Sequence, residues 1–162
     1  MQEATPHAAI FLKDLQKFYA PASIRGREFV RDGYAVSRDL AAWKKRVRAG
    51  WPAIALRAIE LPRKTMPFGQ GARFVVGVKM DGLTPNDIVV ELLLSPAARE
   101  LASRATGNHP FTFSGQRTPE GEALYTLDLA PELCGKLEYR IRAYPSHPAL
   151  SHRFEMGLMK WI

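Results

Sequence analysis

Hydrophobic residues along this chain keep two rhythms, and the change falls near Pro52. Upstream the spacing is helical. Phe11, Leu15, Phe18 and Tyr19 predict a helix over Ile10 to Tyr19, and Pro21 is expected to stop it. A polar connector around Ser23-Ile24-Arg25-Gly26-Arg27 follows. Val36, Leu40, Trp43 and Val47 then fall at i, i+4, i+7 and i+11, one narrow stripe on a second helix from about Tyr34 to Ala49. Lys44, Arg46 and Arg48 place cations in its last turns, where the helix dipole favours them. Gly50 suits the position just past a helix end, and Pro52 forbids continuation.

From Ala53 onward the period is two. Phe74, Val76, Val78 and Met80 alternate, as do Ile88, Val90, Leu92 and Leu94. Tyr125, Leu127 and Leu129 repeat the pattern, and Leu137 to Arg142 is apolar and charged by turns. Phe154, Met156 and Leu158 predict the last strand, and Phe111 and Phe113 a short one. Ile54 and Leu56, then Ile59 and Leu61, predict a first strand whose phase slips, so a bulge is expected near Ala58.

Turn residues separate these runs: Pro67-Phe68-Gly69, Asp81-Gly82, Pro85-Asn86-Asp87, Gly107-Asn108, Pro119-Glu120-Gly121 and Pro145-Ser146-His147-Pro148. Ser95 to Ala105 is not strand-like and reads as a short helix or long loop. About seven short strands so punctuated predict an immunoglobulin-like antiparallel β-sandwich. The expected organisation is mainly β: a two-helix segment over 1–52, then a sandwich over 53–162. Helices shorter than about 12–15 residues are marginal alone in water, so their apolar stripes need a surface to dock on.

Composition narrows the class. There is no run of 18 or more uncharged apolar residues, which excludes a membrane-spanning helix. The start, MQEATPHAAIFLKDL, lacks the basic region and long apolar stretch of a secretion signal. Cys134 is the single cysteine, so no intrachain disulfide can form and a reducing, cytoplasmic setting is expected. Of the net +7, residues 1–52 carry +5 and residues 53–162 carry +2, so the basic excess sits in the helical part.

Candidate chemistry is thin. His7, His109, His147 and His152 show no zinc-type pairing and read as solvated loop residues. Cys134 has no base placed beside it. Gly69-Gln70-Gly71 opens a strand rather than a helix and lacks a following Gly-Lys-Ser/Thr, so it is no phosphate loop. Glu120 and Glu122 read as solvated turn charges. The best nucleic-acid candidate is Trp43-Lys44-Lys45-Arg46-Val47-Arg48, weighed against a plain solvated helix face. Trp43, Trp51, Trp161, Tyr125, Tyr139 and Tyr144 could stack on sugar rings. Trp43 sits on the apolar stripe, and Tyr139 resembles a tyrosine-corner position. Tyr144, on the opposite phase beside Pro145, is the aromatic expected to be exposed.

Two stretches carry a family resemblance. Phe18-Tyr19-Ala20-Pro21, Asp32-Gly33-Tyr34-Ala35 and Leu40 through Pro52 are similar to the C-terminal region of bacterial α-glucan (glycogen) phosphorylases of the long form. Gly135 through Arg142, Pro145 through Leu150 and Phe154 through Ile162 resemble the end of the same proteins. The family enzyme moves a terminal glucosyl unit from an α-1,4-glucan to phosphate with a lysine-held pyridoxal phosphate. No pyridoxal-lysine context is matched here, so the resemblance implies a non-catalytic C-terminal domain and carries over no catalytic residue. The cofactor is expected only in the family's catalytic domain.

Three functions follow as expectations. The first is an accessory domain that docks on a phosphorylase catalytic body, self-associates or touches α-glucan, with Trp43, Lys44, Lys45, Arg46 and Tyr144 as candidate contacts. The second is a nucleic-acid module using the basic helix 43–48, disfavoured by the small charge of the sandwich. The third is a generic protein-interaction sandwich.

Overall fold

Both rhythms are present in the computed structural model, which describes Lys17 and residues 20–62, 71–96, 107–129 and 137–162. The helix expected over 10–19, His7, Cys134, the turn at 67–69 and most of the 95–105 segment lie outside the described residues. The chain divides into two compact units, 1–44 and 45–162.

Helix α1 runs Ala20–Gly50. Pro21 lies in its first turn, where a missing N–H costs nothing, and the helix expected before it lies outside the described residues. One expectation is corrected: the polar connector expected at 23–27 is helical. The interruption comes later, at Arg31–Tyr34, where Asp32, Gly33 and Tyr34 adopt φ of 52°, 63° and 65°. Glycine takes that left-handed region freely and aspartate tolerates it, while Tyr34 is strained. Ser37 Oγ donates to the Phe29 carbonyl at 2.9 Å and the Arg38 guanidinium donates to the Gly33 carbonyl. Both satisfy acceptors that the break frees. Leu40 and Trp43 are buried, whereas Val36 is exposed, so the apolar stripe is shorter than its spacing suggests.

The last turn of α1 belongs to the second unit. Val47 is fully buried there. A Cβ at Gly50 would stand 2.7 Å from the Asp81 carbonyl oxygen, so glycine is what lets the helix end press on that turn. A 3-10 turn, Trp51–Ala53, leads into the sheets.

Among the described residues eight strands follow: β1 (Ala55–Glu60), β2 (Ala72–Lys79), β3 (Ile88–Pro96), β4 (Gly107–Pro110), β5 (Thr112–Arg117), β6 (Ala123–Leu129), β7 (Leu137–Pro145) and β8 (Lys160–Trp161). They form two four-stranded antiparallel sheets ordered β1-β2-β6-β5 and β4-β3-β7-β8. Lettered in chain order A, B, C, C′, D, E, F, G, these are A-B-E-D and C′-C-F-G, the order that immunoglobulin-type connectivity produces. The bulge near Ala58 is present: Ala58 faces Val76 and Glu60 faces Val75, which leaves Ile59 as the extra residue.

Two strand expectations are corrected. The short strand at Phe111–Phe113 is two strands in different sheets, with Phe111 at the crossing, buried and donating its N–H to the Val90 carbonyl at 2.8 Å. Gly107-Asn108 starts β4 rather than a turn. Phe154–Leu158 is not a strand. Its Glu155 and Gly157 N–H groups bond back to His152 and Phe154 carbonyls, closing tight turns, and Gly157 has φ +65°. Its apolar alternation comes from side chains folded back onto a sheet.

The inward phases of the two sheets meet in the core. Phe74, Val76 and Val78 of β2 face Val90 and Leu92 of β3 and Ile141 of β7, all fully or nearly fully buried. Phe74 packs edge-on against Tyr139 (5.3 Å, 88°) and Phe111 (6.4 Å, 83°), which ties one sheet to the other. The Tyr139 hydroxyl donates to the Pro62 carbonyl at 2.9 Å, far upstream. A tyrosine corner bonds only a few residues back, so Tyr139 occupies that strand position without making that contact.

Candidate functional site

Strand pairing sets Glu91 of β3 directly opposite Arg142 of β7, both on the outward phase of their sheet. Glu91 Oε1 accepts from Arg142 Nε at 2.5 Å and from Nη2 as well. Glu91 Oε2 accepts from the Tyr144 hydroxyl at 3.2 Å, and Arg153 Nη1 stands 3.9 Å away. Outward residues of a sheet normally meet water. Here the Glu91 and Arg142 side chains are only 4% and 11% exposed.

The cause is the segment after β7, which doubles back as a roof. Ser146 N–H donates to the Asp87 carbonyl at 2.8 Å and starts the return. The Glu155 carboxylate accepts from the N–H and hydroxyl of Ser151, both at 2.8 Å. Phe154 then lies edge-on against Tyr144 (5.0 Å, 74°). The Arg142 guanidinium carbon is 4.8 Å from the Phe154 ring centre, 5.5 Å from Trp161 and 5.7 Å from Tyr144. Arg153 covers Phe154 at 4.7 Å. His147 Nδ1 accepts from Ala149 N–H and His152 Nδ1 from Phe154 N–H, each at 3.1 Å, so both rings brace the roof's turns.

This overturns the expected exposure of Tyr144. Its outward phase was read correctly, but the roof covers it to 5% exposure. Burial, then the neighbouring Glu91 charge and hydrogen bond, push its hydroxyl pKa up. The cluster went unpredicted although a signal was present. Glu91 is a carboxylate inside an otherwise apolar run, Ile88-Val89-Val90-Glu91-Leu92-Leu93-Leu94, and such a residue needs a cationic partner.

The candidate residues on the helix are placed differently from one another. Trp43 is buried. Lys44 is half-buried and Lys45 exposed. Arg46 Nη2 donates to Asp87 Oδ1 at 2.8 Å, and Asp87 Oδ2 accepts from the N–H and hydroxyl of Thr84, both at 2.8 Å. Asp87 is itself buried, so Arg46 acts as a clamp between the helix end and the turn before β3.

On the other sheet Arg57 reaches Glu122, with Nε to Oε2 at 2.9 Å, in the open. The carboxylate lies close over β2, where a Cβ on Gly77 would come within 2.7 Å of Glu122 Oε2. A groove of about 610 Å³ opens between the end of β1 and β8, lined by Leu61, Tyr139, Arg140, Ile141, Trp161 and Ile162. Among the described residues no group of three or more His, Cys, Asp or Glu could hold a metal. Of the described lysines, Lys44 and Lys160 are half-buried and Lys17, Lys45 and Lys79 are exposed. No described helix is long and apolar enough to cross a membrane.

Residues 51–162 match the sequence model of the glycogen phosphorylase C-terminal domain. The chain belongs to that family. The phosphorylase likeness extends beyond the matched domain. A maltodextrin phosphorylase of Thermococcus litoralis is 30% identical over 154 residues, covering 91% of this chain. Glycogen phosphorylases of Mycobacterium tuberculosis and Mycobacterium bovis are 28% identical over 158 residues, covering 90%. The chain spans about 17% of the length of these curated relatives.

Proposed function

We propose that this phosphorylase-family domain is non-catalytic and cytoplasmic, and that it serves an α-glucan phosphorylase by docking on its catalytic body. The observation that carries the reading is the pairing of coverages: nine-tenths of this chain corresponds to about a sixth of each relative. The rest of a relative's length holds ample room for chemistry elsewhere. The pyridoxal cofactor belongs with that remainder, where it would supply the phosphate chemistry. The side chains described here support a structural part: Glu91 and Arg46 each answer a partner within the sandwich unit.

Titration calorimetry and co-sedimentation with glycogen and maltooligosaccharides separate docking from glucan contact. Docking alone gives no heat with either sugar, and co-elution with the phosphorylase body on a sizing column. Saturable sugar binding would favour the glucan version. Nucleic-acid binding through Lys44, Lys45 and Arg46 is the less favoured reading, because Arg46 is engaged by Asp87. It requires an affinity that falls steeply with salt.

A further inference from the structure

Among the described residues, the large apolar side chains exposed on the sandwich unit gather at two strands. Ile59, Trp161 and Ile162 are 41%, 49% and 44% exposed, and they sit on or beside β1 and β8. These strands are the edges of their two sheets, and they touch each other. Leu61, Trp161 and Ile162 line the groove, while the Ile59 side chain lies against Gly77 of β2. The two-residue β8 places Trp161 and Ile162 where the sheet ends, beside Leu61 just past β1. Ile162 is held there by paired backbone hydrogen bonds with Ile141, 3.1 Å and 2.9 Å. Trp161 is held by the Arg142 guanidinium against its ring. A large apolar ring so braced on an edge is an organised feature, and grouped exposed apolar residues mark interaction sites.

Resting on the docking function above, we infer that this β1/β8 groove is the seat of an apolar segment of the phosphorylase body, held in cis. Three considerations select that occupant. A sugar is bound by several directed polar groups around a stacking ring, and the groove's lining offers one charged side chain, Arg140, among mainly apolar ones. A stable homodimer buries about 20–30 residues a side, far more than this six-residue groove supplies. A contact within one polypeptide needs no such area, because tethering sets an effective concentration of about millimolar. Relatives with five-sixths of their length outside the aligned stretch provide that tether.

Hydroxyl-radical footprinting read by mass spectrometry tests this on the isolated chain and on the intact phosphorylase polypeptide carrying it. Trp51, buried, is the internal reference. The expected result is that Trp161 oxidises readily in the isolated chain and several-fold more slowly in the intact polypeptide. Equal oxidation of Trp161 in both overturns the inference while leaving docking by another surface in place. Protection of the isolated chain by maltoheptaose, or protection that grows with its own concentration, also overturns it, assigning the groove to glucan or to a second copy. An intact polypeptide without phosphorolytic activity instead defeats the functional reading itself.

Discussion

The two outward faces of the sandwich solve one problem in two ways. Each carries an arginine bridged to a glutamate of the same sheet. Arg57 is open to solvent, 52% exposed, and reaches a Glu122 side chain that is 13% exposed. Arg142 and Glu91 meet under a roof, at 11% and 4%. Exposed pairs are screened by water and salt and contribute little. A buried pair is a liability unless every charge finds a partner, and breaking one half is severe because the other stays buried alone. The roof thus turns a surface decoration into a pin that fixes residues 146–159 against β3 and β7. Arg57 remains dispensable. Its pKa is raised by the Glu122 hydrogen bond, and its own side chain is more than half exposed.

The comparison breaks most visibly at Glu91 or Arg142. Replacing either with Ala is expected to cost about 3–5 kcal/mol in denaturant unfolding. The double replacement Glu91→Leu with Arg142→Met is expected to recover most of that loss, since no charge is left stranded. A single substitution costing no more than Arg57→Ala would mean that the roof does not isolate the pair.

High pH attacks the covered regions next. Burial pushes the Tyr125 hydroxyl up to about 12, and the same cause raises Tyr139 and Tyr144. A phenol whose folded pKa exceeds its unfolded value of about 10 stabilises the fold fully below that value. That contribution is lost as pH climbs through the folded value. For Tyr125 the window is therefore pH 10 to about 12, and the loss is of the order of 2 kcal/mol. Denaturant midpoints across that range check it, with Tyr125→Phe expected to flatten the decline.

Removing the roof's ring is gentler. Phe154→Ala deletes a half-buried aromatic with two edge-on ring contacts, to Tyr144 and His152, and two guanidinium contacts, a loss of about 1–2 kcal/mol. It should also speed hydrogen exchange within 146–159 more than in β2. The smallest effect belongs to Arg57→Ala. Its change in melting temperature should vanish in molar salt, whereas the Arg142→Ala loss should persist there.

How much of this was legible in the sequence follows from which forces are local. Strand phase is local, and the alternation at Phe74–Val78 and Ile88–Leu94 places the core correctly, down to the slip at Ala58. Phe154–Leu158 misled because alternation records which side chains find cover, whether a strand or a folded-back turn delivers them. The roof over Tyr144 was invisible for the same reason: its cover comes from residues ten positions on and depends on Ser146 catching the Asp87 carbonyl. The Glu91–Arg142 pair needed register, which a lone sequence does not supply, although the stray carboxylate in an apolar strand signalled that a partner existed.

The central claim is that this domain docks and stabilises while the chemistry lies elsewhere in the phosphorylase. The most direct measurement compares the intact phosphorylase polypeptide with one lacking the region of this chain, recording turnover per active site and thermal stability together. The account expects turnover of the folded fraction to stay within a few-fold while the melting temperature or the assembly state falls. Loss of turnover in a fully folded, unchanged assembly would contradict it, as would release of glucose 1-phosphate from glycogen by this chain alone.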